Sequence, residues 1–328
     1  MKIMVVAVTG ANGHLGNNLC RILLQRGFRV RALIHKNDNA LSGLNLVKVE
    51  GSLFDKNSLE KLVKNVDFVI HTAAIISIGN KNKNKVFRVN VDGTQKLVEV
   101  CKKYPPKRFI YFSSIQALDL TVSGGVADEH IPLALNSRSD YNRSKAKAEK
   151  IVLEAIKNSF FEGIILNPVS IVGPNDFEPS PMGKMIVNVA QGRLPFIVKG
   201  GYYWVDVRDV ANAAINAFTQ GKNGERYILS GEWWSLKQLT VFVSEITNSK
   251  PPATIPLFFA IIGLPFIFLY NKIMNRTQLY TKMSLKIITG EKKDISTQKA
   301  VKELDFKARN IKHTFKDTTL WFIKNGFV

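Results

Sequence analysis

The sequence has 328 residues, 45% of them hydrophobic and 22% charged, which is typical of a globular protein and excludes a disordered or fibrous chain. Two cysteines and five scattered histidines predict neither a disulfide framework nor a metal site, and we expect a cytoplasmic protein. The net charge of +20 is spread along the chain without a nucleic-acid-binding motif. We therefore expect an anionic small molecule or an acidic membrane face, and no nucleic acid, as the partner.

Short apolar runs alternate with helical patterns through the first two thirds of the chain. Apolar, β-rich runs predict buried parallel strands at Ile3–Val8, Arg29–Ile34, Leu46–Glu50, Phe68–His71, Phe109–Ser113, Glu162–Asn167 and Tyr227–Leu229. Apolar residues at helical spacing predict helical segments at Leu15–Arg26, Leu59–Val63, Val91–Cys101 and Ser144–Lys157. This alternation predicts an α/β fold with a doubly wound parallel sheet and helices on both faces.

The pattern loosens after about residue 170, where several prolines mark loops. We predict a larger domain at residues 1–170 and a smaller substrate lobe at 171–328. The segment near 205–230 is expected to return to the first domain, so that the two are partly interleaved.

The segment from Pro251 to Asn271 contains no charged residue, and its core is nearly long enough to span a bilayer. Pro256, Gly263 and Pro265 interrupt it. Three interpretations remain open: a buried or pocket-covering helix pair, a membrane-surface element followed by basic residues, or a transmembrane span.

A glycine-rich turn follows the first predicted strand and precedes the first predicted helix. It reads Thr9-Gly10-Ala11-Asn12-Gly13-His14-Leu15-Gly16. Glycines let backbone N–H groups approach a pyrophosphate, and the helix N-terminus adds a favourable dipole. In this strand–turn–helix context the motif predicts a dinucleotide-binding site.

The end of the second strand carries basic residues where dinucleotide-binding proteins that prefer NAD place a carboxylate. Arg31, His35 and Lys36 lie there, and the first carboxylate is Asp38. Because basic groups suit a 2′-phosphate, we expect NADP(H) as the cofactor, with NAD(H) as the second choice.

Tyr141 and Lys145 are four residues apart in a predicted helical segment, so their side chains share one face. A nearby ammonium and the cofactor ribose lower a tyrosine pKa, which lets the phenol exchange a proton while hydride moves. Ser114 follows the fifth predicted strand and is placed to bond the substrate oxygen. These three residues are the predicted catalytic group.

In their order along the chain, these motifs resemble the extended short-chain dehydrogenases/reductases of the NAD-dependent epimerase/dehydratase superfamily. The resemblance covers nearly the whole chain and is closest to the dihydroflavonol-4-reductase-like group. Further matching segments are Gly51–Asp55, His71–Ala74, Asn90–Thr94, Ser113–Ser114, Asn167–Pro174, Val205–Ala211 and Lys299–Leu304. It implies further cofactor contacts at Ser52, Leu53, Thr72, Ala73, Ala74, Asn90, Asn167, Pro168 and Ser170.

The resemblance implies a Rossmann domain and an NADPH-dependent reduction of a ketone or aldehyde, with Tyr141 as proton donor. A nucleotide-sugar epimerase or dehydratase is the alternative, although the Tyr-Gly pair that many epimerases carry after the serine pair is missing. A non-catalytic, cofactor-sensing regulator is a third reading, which the complete Ser114, Tyr141 and Lys145 set disfavours. The apolar segment suggests a lipid-like substrate, and the family suggests a homodimer.

Overall fold

The computed structural model describes residues 3–77, 82–122, 124–263, 285, 288–289 and 293–328. Its strands are β1 Val5–Thr9, β2 Arg29–Ile34, β3 Val47–Glu50, β4 Phe68–His71, β5 Arg108–Phe112, β6 Gly163–Pro168, β7 Ser170–Val172, β8 Phe196–Val198, β9 Gly201–Asp206, β10 Arg226–Leu229, β11 Trp233–Ser235 and β12 Ala253–Ile255.

The helices that flank these strands are α1 His14–Gln25, α2 Lys56–Val63, α3 Lys83–Phe87, α4 Gly93–Lys103, α5 Asp140–Lys157, α6 Pro181–Ala190, α7 Val207–Asn216, α8 Leu236–Thr247, α9 Gln298–Leu304 and α10 Ile311–Lys324. Short 3₁₀ turns occur at Asn39–Leu41, Ile115–Ala117 and Leu120–Val122, and a π-helical turn covers Arg88–Asp92.

The central sheet has seven strands in the order β10-β6-β5-β4-β1-β2-β3, and every neighbouring pair is parallel. The chain winds outward from β1 to β3, then returns and winds the other way from β4, so the strand order reverses between β1 and β4. Ligands of such sheets bind beyond the carboxyl ends of the strands at this reversal. The predicted doubly wound α/β fold is confirmed.

Two apolar layers cover the faces of this sheet. One packs α1 and α7 against residues such as Val8, Ile110 and Leu166, and the other packs α2, α4 and α5 against residues such as Val69 and Ile165. These strands read as continuous apolar runs because both of their faces are buried.

The C-terminal part of the chain builds a second core around Trp204, which is fully buried against Phe315. It contains a three-stranded sheet in the order β11-β9-β7 and the parallel pair β12-β8. Strand β10 leaves this part and joins the large sheet beside β6. The proposed division into domains at residue 170 stays a prediction.

Helix α5 begins at Asp140, four residues before the predicted helical segment at Ser144–Lys157. Ser139 caps it by accepting a hydrogen bond from the backbone N–H of Asn142 at 3.3 Å. The earlier start matters because it puts Tyr141 in the first helical turn, on the same rigid element as Lys145.

The apolar segment at 251–271 is described as far as residue 263. It contains β12 and the helical residues 257–263. The prediction for 264–271, and for the basic residues Lys272, Arg276, Lys282 and Lys286, lies outside the described residues. Within the described part of the chain, no helix has both the length and the apolar character needed to cross a membrane.

Candidate active site

The glycine-rich turn packs directly against the chain that follows β4. Gly10 has a φ of +70°, and a Cβ there would lie 2.6 Å from the backbone nitrogen of Ala73. A Cβ on Gly16 would lie 2.1 Å from the Gly10 carbonyl oxygen. Only glycine therefore lets the turn close, and the hydroxyl of Thr72 ties the two segments by donating to the Thr9 carbonyl at 2.7 Å.

Helix α1 begins at His14 behind Gly13, so its first amides point out of the turn without a capping side chain. The side chain of His14 contacts the carbonyls of Gly173 and Pro174, each at 3.1 Å. Leu15, in the same first turn, packs against the core. The turn is thus joined to the loop after β7, and its free helix N-terminus suits a pyrophosphate.

The three basic residues around β2 differ in their surroundings. Arg31 is directed at the C-terminal end of α2, where its guanidinium contacts the carbonyls of Lys61, Leu62 and Lys64 at 2.7–3.0 Å. His35 and Lys36 are exposed immediately after the strand. A 2′-phosphate at this edge would therefore meet His35 and Lys36, because Arg31 is engaged in capping α2.

Asn12 links the turn to the segment that follows β2. Its carbonyl oxygen accepts from the backbone N–H of Ala40 at 3.1 Å, and its amide group donates to Asn37. Asn37 in turn donates to Glu178 at 2.8 Å, across from the turn. Asn12 thus fixes the turn relative to the residues after β2.

The segment after β3 turns inward at Ser52 and Leu53. The Ser52 hydroxyl accepts from the backbone N–H of Phe54 at 3.2 Å, and the Leu53 side chain is buried against Gly93. The serine side chain thus closes its own turn.

Asn90 lies in the π-helical turn and is almost completely buried. Its oxygen accepts from the backbone N–H of Ile75 at 2.7 Å, and its amide group donates to the Ile75 carbonyl and to Ser144 at 3.1 and 2.9 Å. Asn90 therefore connects helix α5 to Ile75, which directly follows Thr72, Ala73 and Ala74. These contacts position that segment at the edge of the site.

Ser114 and Tyr141 come together at the carboxyl end of β5. Ser114 caps the 3₁₀ turn that follows the strand, accepting from the backbone N–H of Gln116 at 3.1 Å. Helix α5 packs against this turn, where the Asn142 amide donates to Gln116 at 3.1 Å, and Tyr141 lies beside the Ser114 side chain. Burial raises the pKa of Tyr141 above its usual value, and the hydrogen bond with Ser114 acts in the opposite direction.

Lys145 lies one helical turn beyond Tyr141 and is 3% exposed. Its ammonium group donates to the Phe112 carbonyl at 2.6 Å and to the Tyr111 hydroxyl at 3.2 Å. Burial lowers the pKa of Lys145 to about 7, and the Glu149 carboxylate opposes this shift. The ammonium is thus held by the last residues of β5, one helical turn from Tyr141.

Sequence reasoning missed the residues that support Lys145 from the sheet. Thr94, on α4, lies beside Tyr111, and its hydroxyl donates to the Asn90 carbonyl at 2.7 Å. The Thr94 proton is therefore used, so Nε2 of His71 donates to Thr94 and Nδ1 accepts from Thr9. The signals available in the sequence were the matching segments His71–Ala74 and Asn90–Thr94, in which His71 and Thr94 were given no part in supporting Lys145.

Asn167 is fully buried near the end of β6. Its amide donates to the Ser114 carbonyl at 3.1 Å and to Glu149 at 3.0 Å. Pro168 ends β6, and Ser170 begins β7 at the same edge of the sheet. Of these three predicted cofactor contacts, Asn167 is the one whose side chain contacts Ser114, through the Ser114 backbone carbonyl.

These residues fit a nicotinamide dinucleotide. The turn has the close packing and the free helix N-terminus that a pyrophosphate needs. At the other end of the crevice, the buried Ser113 hydroxyl and the Asn167 side-chain oxygen have no hydrogen-bond partner within the described part of the chain. Buried polar atoms without partners are costly, so these two atoms mark a place where a polar ligand group is expected.

The fold and this crevice define an NAD(P)-binding enzyme of the extended short-chain type. The profile of the NAD-dependent epimerase/dehydratase family matches residues 6–230. The chain belongs to that family. The predictions of an NAD(P)-dependent enzyme and of a nicotinamide dinucleotide as its cofactor are confirmed.

Full-length relatives are known in two bacteria. The chain is 32% identical to "Sterol demethylase protein B" of Methylococcus capsulatus, covering 99% of this chain and 100% of the relative. It is also 32% identical to a "Putative dihydroflavonol 4-reductase" of Synechocystis, covering 98% and 95%. A solved structure described as gox2253 matches with a TM-score of 0.84 and 31% identity over 100% of both chains.

Proposed function

We propose that the protein reduces a ketone or aldehyde at the expense of NADPH, with Tyr141 as the proton donor. The observation that carries this proposal is the meeting of Tyr141 and Ser114 at the carboxyl end of β5, with Lys145 one helical turn away. When bound, the cofactor would supply the hydride from its nicotinamide ring.

Each of the three residues has one task. Because burial raises its pKa, Tyr141 is protonated at neutral pH and is ready to give a proton to the substrate oxygen. Ser114 donates a hydrogen bond to the same oxygen and aligns it with the phenol. Lys145 holds the ribose hydroxyls and supplies positive charge as the phenolate forms.

Cofactor preference rests on the residues after β2. His35 and Lys36 are exposed where a 2′-phosphate is expected, and Asp38 is drawn away into an ion pair with Lys48. Arg31 supports this edge by capping α2. This arrangement favours NADPH over NADH.

An apolar substrate is supported by two observations. One full-length relative is named for sterol demethylation and another for reduction of a dihydroflavonol. The helical residues 257–263 add an apolar surface, on which Phe258, Phe259, Ile261 and Ile262 are 68%, 61%, 41% and 50% exposed. We infer a lipid-like ketone, of the isoprenoid or sterol type.

The same helical residues support contact with an anionic membrane. Leu257 and Ala260 pack inward, so the four large apolar side chains between and after them face outward. Arg193 and Lys250 are exposed on the adjoining loops, and the net charge is +20. A basic protein with an exposed apolar turn binds acidic bilayers, which would place it on the inner face of the membrane in the cytoplasm. A homodimer is proposed from the resemblance alone.

A nucleotide-sugar epimerase or dehydratase is the second candidate, because the family profile takes its name from these activities. Such an enzyme returns the hydride to its own substrate and retains its cofactor. It would copurify with NAD(H) and bind a nucleotide sugar.

Replacing Tyr141 with Phe tests the proposal. We expect turnover of carbonyl substrates to fall by about 10²–10⁴, because the proton donor is lost while the ring still fills its place. Cofactor affinity and thermal stability should change little. Tyr104→Phe, at the end of α4, is the matched control and should keep full activity. Full turnover by Tyr141→Phe would remove Tyr141 from the mechanism.

A further inference from the structure

Glu149 is a completely buried carboxylate on α5, one helical turn beyond Lys145. A buried carboxylate is costly unless it is paired and hydrogen-bonded. Its neighbours are therefore informative, and they come from two strands that are far apart in the sequence.

Arg226, on β10, supplies the opposite charge. Its Nε lies 2.6 Å from Oε1 of Glu149, in an ion pair and not in an aligned hydrogen bond. The same guanidinium contacts the carbonyls of Glu129 and Ile131 at 3.4 and 3.3 Å. Strand β10 thus carries an arginine to the inner face of α5 and anchors the carboxylate there.

The second oxygen of Glu149 faces the active site. Oε2 accepts from the amide of Asn167 at 3.0 Å, and that amide also donates to the Ser114 carbonyl at 3.1 Å. A chain of contacts therefore runs from Arg226 through Glu149 and Asn167 to Ser114. None of the three supporting side chains needs to touch the substrate.

Lys145 shares its surroundings with few ionisable groups. The groups that face it are His71 on β4, Tyr111 on β5, and Tyr141 and Glu149 on its own helix. Of these, Glu149 is the one carboxylate, and its partner in the ion pair is Arg226 on β10. Burial raises the pKa of Tyr111, and the nearby Glu149 carboxylate adds to this effect.

We propose that Glu149 is a positioning residue of the active site, which Arg226 anchors and which acts on Ser114 through Asn167 and on Lys145 by its charge. This inference rests on the proposed function only in taking Ser114 and Lys145 as catalytic. It assigns β10, contributed by the C-terminal half of the chain, a part in setting the charge of the site.

The charge effect has a definite sign. Lys145 titrates near neutral pH because burial lowers its pKa to about 7, and Glu149 raises it against that effect. Without the carboxylate, the ammonium form loses its counter-charge and the titration moves to lower pH. Less of the lysine is then charged at pH 7–8, where the ribose contact and phenolate stabilisation require the ammonium.

The deciding experiment follows the Lys145 side chain by NMR in protein carrying ¹³C at the lysine Cε, without cofactor. Lys145→Arg identifies the signal. We expect the titration midpoint to move to lower pH in Glu149→Gln and to stay unchanged in Glu154→Gln, which alters an exposed carboxylate on the same helix. An unchanged midpoint in folded Glu149→Gln protein would overturn the proposal.

A double variant controls for a folding defect caused by an unpaired buried charge. Glu149→Gln leaves the charge of Arg226 without a partner, whereas Glu149→Gln with Arg226→Gln removes both charges. The double variant should show a Lys145 midpoint between that of Glu149→Gln and that of the wild type, because the positive charge of Arg226 no longer opposes the ammonium while the carboxylate is still missing. A midpoint restored to that of the wild type would contradict this role.

Turnover provides the separate test of the proposed function. Compared with the wild type, the Glu149→Gln variant should show the basic limb of the pH profile of carbonyl reduction at lower pH. Its kcat at pH 8 should fall about tenfold, which corresponds to a shift of about one pKa unit. KM for NADPH should change less than kcat. If the NMR midpoint moves but the wild type reduces no carbonyl compound, the positioning role stands and the reductase proposal fails.

Discussion

At the scale of single residues, the site depends on a buried histidine that stays neutral. His71 is 1% exposed and bridges Thr9 to Thr94 through its two ring nitrogens. Burial lowers the pKa of His71 to about 3, and the charge of Lys145 adds to this effect. The ring thus connects the glycine-rich turn to the residues beneath Lys145 without carrying charge itself.

This neutrality makes stability depend on pH in a predictable direction. Below pH 6.5 the unfolded chain takes up a proton at His71 that the folded protein refuses until about pH 3, so stability is lost as the pH falls through this window. At pH 4.5 the loss is about 2–3 kcal/mol. We expect His71→Gln to have a lower free energy of unfolding than the wild type at pH 7. At pH 4.5 the difference between the two proteins should be smaller by about 2–3 kcal/mol, because only the wild type loses this stability.

Urea unfolding at both pH values measures the deficit. His130→Gln, which changes an exposed histidine, is the control and should follow the wild type at each pH. A deficit for His71→Gln that is constant between pH 7 and 4.5 would mean that the folded protein protonates His71 as readily as the unfolded chain does.

The catalytic group was predictable from the sequence because its residues obey local rules. Tyr141 and Lys145 share a helix face at a four-residue spacing, and Ser114 directly follows a strand end. Their supporting contacts were not predictable. Arg226 and Glu149 are 77 residues apart in the sequence, and they meet only because β10 pairs with β6. The two tasks of Arg31 and Lys36 also could not be separated, because the sequence does not show which way an exposed strand end directs its side chains.

At the scale of elements, the helical residues 257–263 expose four large apolar side chains close together, the most exposed being Phe258 among the large hydrophobic residues that the structure describes. Phe258 and Phe259 contact each other edge to face, with ring centroids 5.8 Å apart, and both remain mostly exposed. Burying one phenylalanine side chain is worth about 1.5–3 kcal/mol, so two of them give a useful gain at a bilayer surface.

We expect the protein to sediment with phosphatidylglycerol vesicles and much less with phosphatidylcholine vesicles, because charge and apolar burial act together. Phe258→Ser with Phe259→Ser should weaken binding by about tenfold or more. Phe160→Ser, which replaces an exposed phenylalanine elsewhere, is the control. Equal sedimentation of the double variant and the wild type would exclude these side chains as the contact.

The predicted and observed ends of the strands and helices agree where an apolar run sets them and differ where a polar cap does. The strands β2 and β4 were predicted with the bounds that the structure has, because their apolar runs are sharply limited. Helix α5 starts before its predicted segment, since its first turn is polar and is specified by the cap at Ser139. Amphipathic periodicity detects the buried face of a helix but not a capped polar end.

At the scale of the whole molecule, two cores share one chain. The sheet order follows from the βα alternation, and the glycine-rich turn places the cofactor crevice at the strand reversal. The return of β10 to the large sheet brings Arg226 under α5, so the C-terminal half helps to build the site that the N-terminal half carries. We expect loops of the second core to select the substrate, and sequence patterns give no code for such loops.

The most direct test of the reductase account is the state and exchange of the cofactor. The purified protein is first denatured to identify any nucleotide it carries, and the native protein is then titrated with NADPH and NADH by fluorescence. The account predicts an exchangeable site that binds NADPH more tightly than NADH, as an enzyme that uses fresh reductant in every turnover requires. NAD(H) retained in one copy per chain through purification would contradict it and would favour the nucleotide-sugar epimerase.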